Sequence, residues 1–371
     1  MNYCISEREE HVKATAQKIA KEKIIPQREL LDEKKEFPHE IVKELTDTGM
    51  FRLFIPKAYG GDGGGDTELC IIVEEIGKAC AAVATTYAAS ALAATPIILF
   101  GSENQKMKYL SKIAQGNLAS FCLTEPSAGS DAGGIQTRAI KENDFYIING
   151  AKQWITNGGE AEVYVVFAAT NPSRGARGLS AFIVEKETPG ISFGKIEDKL
   201  GIRASCTREV IFENCKVPAE NLIGKEGVGF IVAMRTFDHT RPGVGALAVG
   251  IAQGALDELI AYAKQIKAPL SLFEQIAELY TKVEAARALV YSTARYLDSG
   301  AKDVSMYSSM SKLFPSEVAM EVTSKVIELF GVFGCRKKYA VEKIMRDAKI
   351  TQIYEGTNEI QKLIIANAIA K

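Results

Sequence analysis

The chain has 371 residues, 47% of them hydrophobic, and a formal net charge of -1. That length exceeds the roughly 250 to 300 residues at which a single hydrophobic core stops growing, so two or three domains are expected. Its 45 Lys and Arg against 46 Asp and Glu are scattered rather than run together, which leaves no footprint for nucleic acid or an anionic membrane and points to a protein or small-molecule partner.

The opening stretch, MNYCISEREEHVKATAQKIAKEK, is too charged for the apolar segment of a signal peptide, and Ser6 with Glu9 reads as a helix capping box. No export is implied. Seven cysteines, without a C-x-x-C pair and with Cys70, Cys80 and Cys122 in apolar surroundings, suggest neither a disulfide framework nor a zinc site. A reducing cytoplasm fits, and no metal is expected. From Ser6 to about Gly116 the pattern is helical: Pro38 suits a helix start, Ile41, Val42 and Leu45 share a face, and Gly49 suits a helix end. Tyr59 to Asp66, YGGDGGGD, lacks the features of a phosphate-binding loop and reads as a connection. The uncharged run from Ala81 to Phe100 is long enough to raise a membrane span, but its Ala, Thr and Ser content and Pro96 favour a buried helix.

From Leu118 to about Ile223 the chain turns to short β-rich runs (FCLT, FYIING, VYVVFAAT, LSAFIVE and EVIF), broken at Asn149-Gly150 and Asn157-Gly158. This is read as a small antiparallel β domain. After GKEGVGF, helical spacing returns through Val244, Leu247, Ile251, Ala255, Leu259 and Tyr262 and persists to the end. The expected fold class is therefore α+β, with an N-terminal α-helical domain over 1–117, a middle antiparallel β domain over 118–224 and a C-terminal α-helical bundle over 225–371.

The loop at the entry to the β domain, FCLTEPSAGSDAGG, is neither a P-loop nor a dinucleotide fingerprint, since it lacks Gly-Lys-Ser/Thr and follows no βαβ pattern. Near the C-terminus, Glu355 sits between Tyr354 and Gly356 in a stretch that otherwise reads as an apolar-faced helix, and the Gly-Thr after it would let the backbone approach something closely.

Five stretches in order, CLTEPSAGSD, WITNGG, LGIRAS, FDHTRPGVGA and MRDAKITQIYEGTNEIQ, resemble the acyl-CoA dehydrogenase family, and the resemblance covers essentially the whole chain. It implies a flavoprotein carrying FAD that oxidises an acyl-CoA to its trans-2-enoyl-CoA and passes electrons to an electron-transferring flavoprotein. It assigns the base to Glu355, whose tyrosine and aliphatic neighbours suit desolvation and a raised pKa. Gly356 would leave room for a backbone hydrogen bond to the thioester carbonyl. Phe121, Leu123, Thr124, Trp154, Ile155 and Thr156 match the family's flavin-ring contacts, and Gln275, Glu328, Thr357 and Glu359 its nucleotide side. Ser130, Asp238 and Arg241 match positions that hold the CoA portion, although Arg241 before Pro242 also suits a plain helix-end charge. Some relatives carry the base at the position of Thr240; threonine cannot serve, which leaves Glu355. Ala88, Ala89, Ser90 and Ala91 leave space for an acyl chain whose length the sequence does not fix.

The sequence departs from its relatives where an Arg-x-x-Phe-Gly usually reaches a neighbouring subunit's FAD pyrophosphate. Here the region is YAKQIKAPLSLFEQ, with Ile266 at the Arg position and Lys264 and Lys267 as the nearby charges. A second cross-subunit motif reads ELFGVFG, with Glu328 and Val332 in place of Gln and Gly. A homodimer or homotetramer with altered contacts is expected, with a heteromer of homologous subunits as the alternative. A reductase on the same scaffold and a mainly assembling subunit are the other readings.

Overall fold

The computed structural model describes residues 6–370; residues 1–5, among them Cys4 and the start of the charged N-terminal stretch, and Lys371 lie outside the described residues. The capping box forms: Ser6 Oγ accepts from Glu9 N and the Glu9 carboxylate accepts from Ser6 N, which starts α1 (Glu7–Ile19). After α2 (Arg28–Lys34), α3 (His39–Asp47) begins directly behind Pro38 and buries Ile41, Val42 and Leu45. Gly49, at φ +77°, follows its last turn in the left-handed conformation that glycine adopts without strain. Helices α4 (Asp66–Ala79) and α5 (Ala81–Phe100) pack together, and the short α6 (Glu103–Gln105) and α7 (Ser111–Ala114) complete the helical layer. The expectation of a buried helix at Ala81 to Phe100 holds in its physical reason: 67% of its most apolar window is enclosed by the protein.

The middle layer is one eight-stranded sheet built from β1 (Ala119–Cys122), β2 (Arg138–Glu142), β3 (Phe145–Thr156), β4 (Val163–Ala169), β5 (Leu179–Glu185), β6 (Ile191–Ile196), β7 (Thr207–Pro218) and β8 (Leu222–Ile223). Its order is β6-β7-β3-β2-β4-β5-β8, with β1 beside β4. The long pairings β2/β3, β3/β7, β4/β5 and β6/β7 are antiparallel as the sequence suggests, but β1 runs parallel to β4. The difference follows from connectivity: the β2–β3 hairpin lies between β1 and β4 in the chain, so β4 is reached by a crossover rather than a tight turn. Strand β4 is buried at every position and forms the middle of the sheet core.

The C-terminal layer holds α8 (Gly229–Gln265), α9 (Leu270–Asp298), α10 (Ser305–Phe330), α11 (Val341–Ala348) and α12 (Asn358–Ile369). Helix α8 runs between α4 and α10 at backbone contact distance. A Cβ at Gly250 would lie 2.4 Å from Glu74 O, and one at Gly245 would lie 2.0 Å from Ser311 O. Arg241 is not at a helix end, as its place before Pro242 allowed, but inside α8. Pro242 removes the donor that would satisfy Asp238 O, and Ser308 Oγ on α10 donates to that carbonyl at 2.6 Å, so the helix continues through the proline.

Candidate active site

A cavity of about 420 Å³ opens where the three layers meet, between α5, the loop after β1, the end of β3, α8 and the 354–356 turn. Two opposed walls enclose it.

On one wall, the chain leaves α11, makes a single turn over Lys349–Gln352 and bends before α12. Glu355 (φ +52°) and Gly356 (φ +91°) are both left-handed, a conformation that strains a glutamate by about 1 to 3 kcal/mol and is free only for the glycine. The surroundings hold the turn. Gln361 Nε2 donates to Glu355 O at 3.2 Å and to Gly356 O at 2.8 Å, Arg241 Nε donates to Glu355 O at 3.4 Å, and Thr357 Oγ1 caps α12 by accepting from Ile360 N. The turn aims the Glu355 carboxylate into the cavity, where Oε2 accepts from Thr240 Oγ1 at 2.7 Å. Burial raises the Glu355 pKa, and the Thr240 hydrogen bond, Arg241 and Lys312 only partly oppose the rise. The backbone N–H groups of Glu355 and Gly356 donate to no protein acceptor among the described residues, so both can serve a ligand carbonyl.

On the other wall, β3 bulges between Lys152 and Ile155, and Trp154 takes φ +61°. The bulge turns the indole outward, 57% exposed, while Ile155 stays buried and Thr156 faces the cavity. Gln153 N donates to Thr124 O at 2.8 Å, which fixes the loop after β1 against this bulge. Below it lies an ion pair: Lys152 Nζ is 2.7 Å from Glu125 Oε1 and donates to Leu123 O at 3.1 Å, while Glu125 accepts from Gln136 N and Thr137 N. Desolvation pulls the Lys152 pKa down to about 8 despite the carboxylate. Neither Lys152 nor Glu125 was singled out from sequence; the available signal was a lysine two positions before Trp154 in a strand whose alternation points it inward.

The structure brings Phe121, Leu123, Thr124, Trp154, Ile155, Thr156, Ser130, Arg241, Glu355 and Gly356 to this one cavity. Phe121 lines it while its ring packs on Phe167 and Phe237. Asp238 is not on the lining: it is buried against α10, where its carboxylate accepts from Ser305 Oγ at 2.8 Å. Thr357 and Glu359 lie just beyond the turn, and Gln275 and Glu328 are exposed elsewhere, Glu328 paired with Lys325 at 2.6 Å. Of the four small residues on α5, Ala88 and Ala89 line the cavity, while Ser90 is turned to β1, where its Oγ accepts from Ala119 N.

Family models for the acyl-CoA dehydrogenase N-terminal, middle and C-terminal domains match residues 6–117, 120–215 and 227–370. The chain belongs to the acyl-CoA dehydrogenase family. It is 44% identical to the short-chain-specific acyl-CoA dehydrogenase of Clostridium acetobutylicum over 378 residues, with both chains covered completely. It is equally 44% identical to the acryloyl-CoA reductase (NADH) of Anaerotignum propionicum, covering 100% of this chain and 96% of that one. A chain from the structural study of the electron transferring flavoprotein of Acidaminococcus fermentans superposes with a TM-score of 0.97 at 43% identity, complete on both sides. The acyl-CoA dehydrogenase family is FAD-dependent, and the chain is an oxidoreductase of that class. The second wall fits a flavin ring: the indole of Trp154 offers an exposed aromatic face, and the side-chain hydroxyls of Thr124 and Thr156 have no protein hydrogen bond among the described residues although both face the cavity.

Proposed function

We propose that this enzyme α,β-dehydrogenates an acyl-CoA thioester to the 2-enoyl-CoA with Glu355 as the base. Bound FAD supplies the hydride acceptor. In this reading Thr124, Trp154, Ile155 and Thr156 hold the ring, with Phe121 and Leu123 behind them, and Gln275, Glu328, Thr357 and Glu359 serve the nucleotide end. Ser130 and Arg241 serve the CoA portion, and Asp238, turned to Ser305 on α10, does not. The thioester carbonyl accepts from the free N–H groups of the Glu355–Gly356 turn, where enolate charge develops, and the Glu355 carboxylate takes the α-proton.

One strained, half-buried glutamate at the wall facing Trp154 supports this reading: its raised pKa makes it a stronger base than a surface carboxylate, and its left-handed turn is held by three side-chain donations to Glu355 O and Gly356 O. Glu355→Gln keeps fold, flavin and CoA-ester binding and loses turnover by at least the roughly 10²- to 10⁴-fold typical of a positioned general base. Near-normal turnover by that variant ends the proposal.

The 44% identity to an acryloyl-CoA reductase supports a second reading, the reverse reaction on the same site. Anaerobic assays with acyl-CoA and enoyl-CoA separate the two directions. We assign an electron-transferring flavoprotein as redox partner and the cytoplasm as the compartment, with domain boundaries at 117/118 and 224/225. The assembly is proposed as a homodimer or homotetramer, and co-expression with a homologous subunit tests the heteromeric alternative.

A further inference from the structure

Beneath the Glu355 turn lies a buried cation that the mechanism above does not use. Lys312, on α10, is fully buried, and its Nζ donates to Asn358 Oδ1 at 2.9 Å. Ser316 Oγ, one turn along the same helix, donates to the same oxygen at 3.1 Å. Asn358 is the first residue of α12 and follows the Glu355–Thr357 turn directly. On the same helix Ser309 Oγ accepts from Arg241 Nη1 at 3.4 Å, so one face of α10 supports both cations that approach Glu355. Among the described residues Lys312 makes no ion pair within 4.0 Å, and its ammonium has three donors to satisfy.

We propose that Lys312 is a positioning residue for the base: its ammonium fixes Asn358 under the turn and shares with Arg241 the task of keeping the Glu355 carboxylate ionised. This rests on Glu355 being the base. Unlike the guanidinium of Arg241, a buried ammonium without a close carboxylate can lose its proton, so this contribution to Glu355 is itself pH-dependent. Burial pulls the Lys312 pKa down to about 7, with Arg241 acting in the same direction and Glu355, Glu359 and Glu317 opposing. The charged groups facing the pair are thus Arg241 from α8, Glu317 from α10 and Glu359 from α12, with Thr240 as the hydrogen-bond donor to Glu355. The signs are mutual. Protonated Lys312 lowers the Glu355 pKa, and ionised Glu355 raises that of Lys312, so loss of either charge moves the other group's titration.

The test follows the Glu355 carboxyl itself by ¹³C NMR of glutamate-labelled holoenzyme, its signal assigned by difference from Glu355→Gln, alongside the pH profile of flavin reduction by acyl-CoA. In the unmodified enzyme the signal shows its own titration and a second inflection as Lys312 loses its proton. Lys312→Met abolishes the second inflection, moves the first to higher pH and cuts the reduction rate on the acid limb by roughly three- to tenfold. Ser316→Ala, which removes the other donor to Asn358 Oδ1 but keeps the Lys312 hydrogen bond, leaves the Glu355 titration in place. A wild-type signal without the second inflection overturns the proposal without requiring any variant to fold. So does Lys312→Met with an unmoved first titration, or Ser316→Ala shifting it as far as Lys312→Met. If these fail while Glu355→Gln still abolishes turnover, the base stands and only the role of Lys312 falls; an active Glu355→Gln removes both.

Discussion

Thr240 Oγ1 donates to Glu355 Oε2 at 2.7 Å, which ties the middle of α8 to the carboxylate proposed above as the base. The hydroxyl stabilises the carboxylate against the burial that raises its pKa. A hydrogen bond to a charged group contributes about 1.5 to 3 kcal/mol. Thr240→Val removes the donor at nearly constant volume. The Glu355 pKa then rises further, the acid limb of the pH–rate profile moves to higher pH, and turnover on that limb falls roughly tenfold or more. Above the shifted limb the stronger base keeps the rate within a fewfold of the wild type. A uniform loss at every pH would show that Thr240 acts on geometry rather than on protonation.

The same burial makes Glu355 a cost to the fold. Its folded pKa lies above its unfolded one, so its contribution is fully present below the unfolded pKa and is lost as pH rises through the folded pKa. At pH near 8, well above the unfolded pKa, Glu355 therefore opposes folding, whereas near pH 4 it does not. Glu355→Gln should raise the unfolding midpoint by on the order of a few degrees at the higher pH and by almost nothing at the lower one. Thermal unfolding of both proteins at the two pH values checks this; an equal shift at both would place the effect in packing.

Lys152 and Glu125, both buried, tie β3 to the loop after β1 beneath Trp154. Breaking a buried pair by removing one partner costs about 3 to 5 kcal/mol, because the other charge is left uncompensated. Lys152→Met should therefore destabilise the middle domain by that amount and loosen flavin retention. Glu125→Gln added to it removes the stranded charge, yet its amide oxygen can still accept from Gln136 N or Thr137 N. The double variant should recover most of the loss. Denaturant titration with flavin fluorescence as a second probe measures both, and a double variant no more stable than the single one would assign the cost to the backbone contacts.

What could be read from sequence was what short-range rules dictate. The Ser6–Glu9 box, the helix start behind Pro38 and the β3/β7 runs all follow from local residue chemistry, and four of the five motifs line one cavity, LGIRAS being the one that does not reach it. The hidden parts depend on elements distant in the chain. Thr240 and Glu355 are 115 positions apart, and Lys312 meets Asn358 across 46. Arg241 looked compatible with a helix end because Pro242 follows it; only the donation from Ser308 Oγ to Asp238 O shows why the helix does not stop there. The inward aim of Asp238 toward Ser305, rather than toward the cavity, was set by the same α8–α10 contact and had no local signal.

The departures at Ile266 and Glu328 fall on a surface with its own apolar exposure. Ile266 closes α8 at 51% exposure, Leu270 opens α9 at 73%, and Val332 follows α10 at 78%. Tyr262 stacks on Phe330 at 4.4 Å between them, so the ends of α8 and α10 form one rigid platform. Clustered apolar side chains of this size on a folded surface mark a contact site. In the homo-oligomer proposed above that platform is covered by a second copy, which also stands where the nucleotide end of FAD is completed. Leu270→Asp with Val332→Asp should therefore shift the mass measured by light scattering toward the monomer. Flavin content should fall with it, while the helical circular dichroism signal stays. A charged double variant that keeps both its mass and its flavin would remove this face from the assembly. A wild-type chain that is monomeric and flavin-poor until co-expressed with a homologous subunit would instead give the face to a different partner.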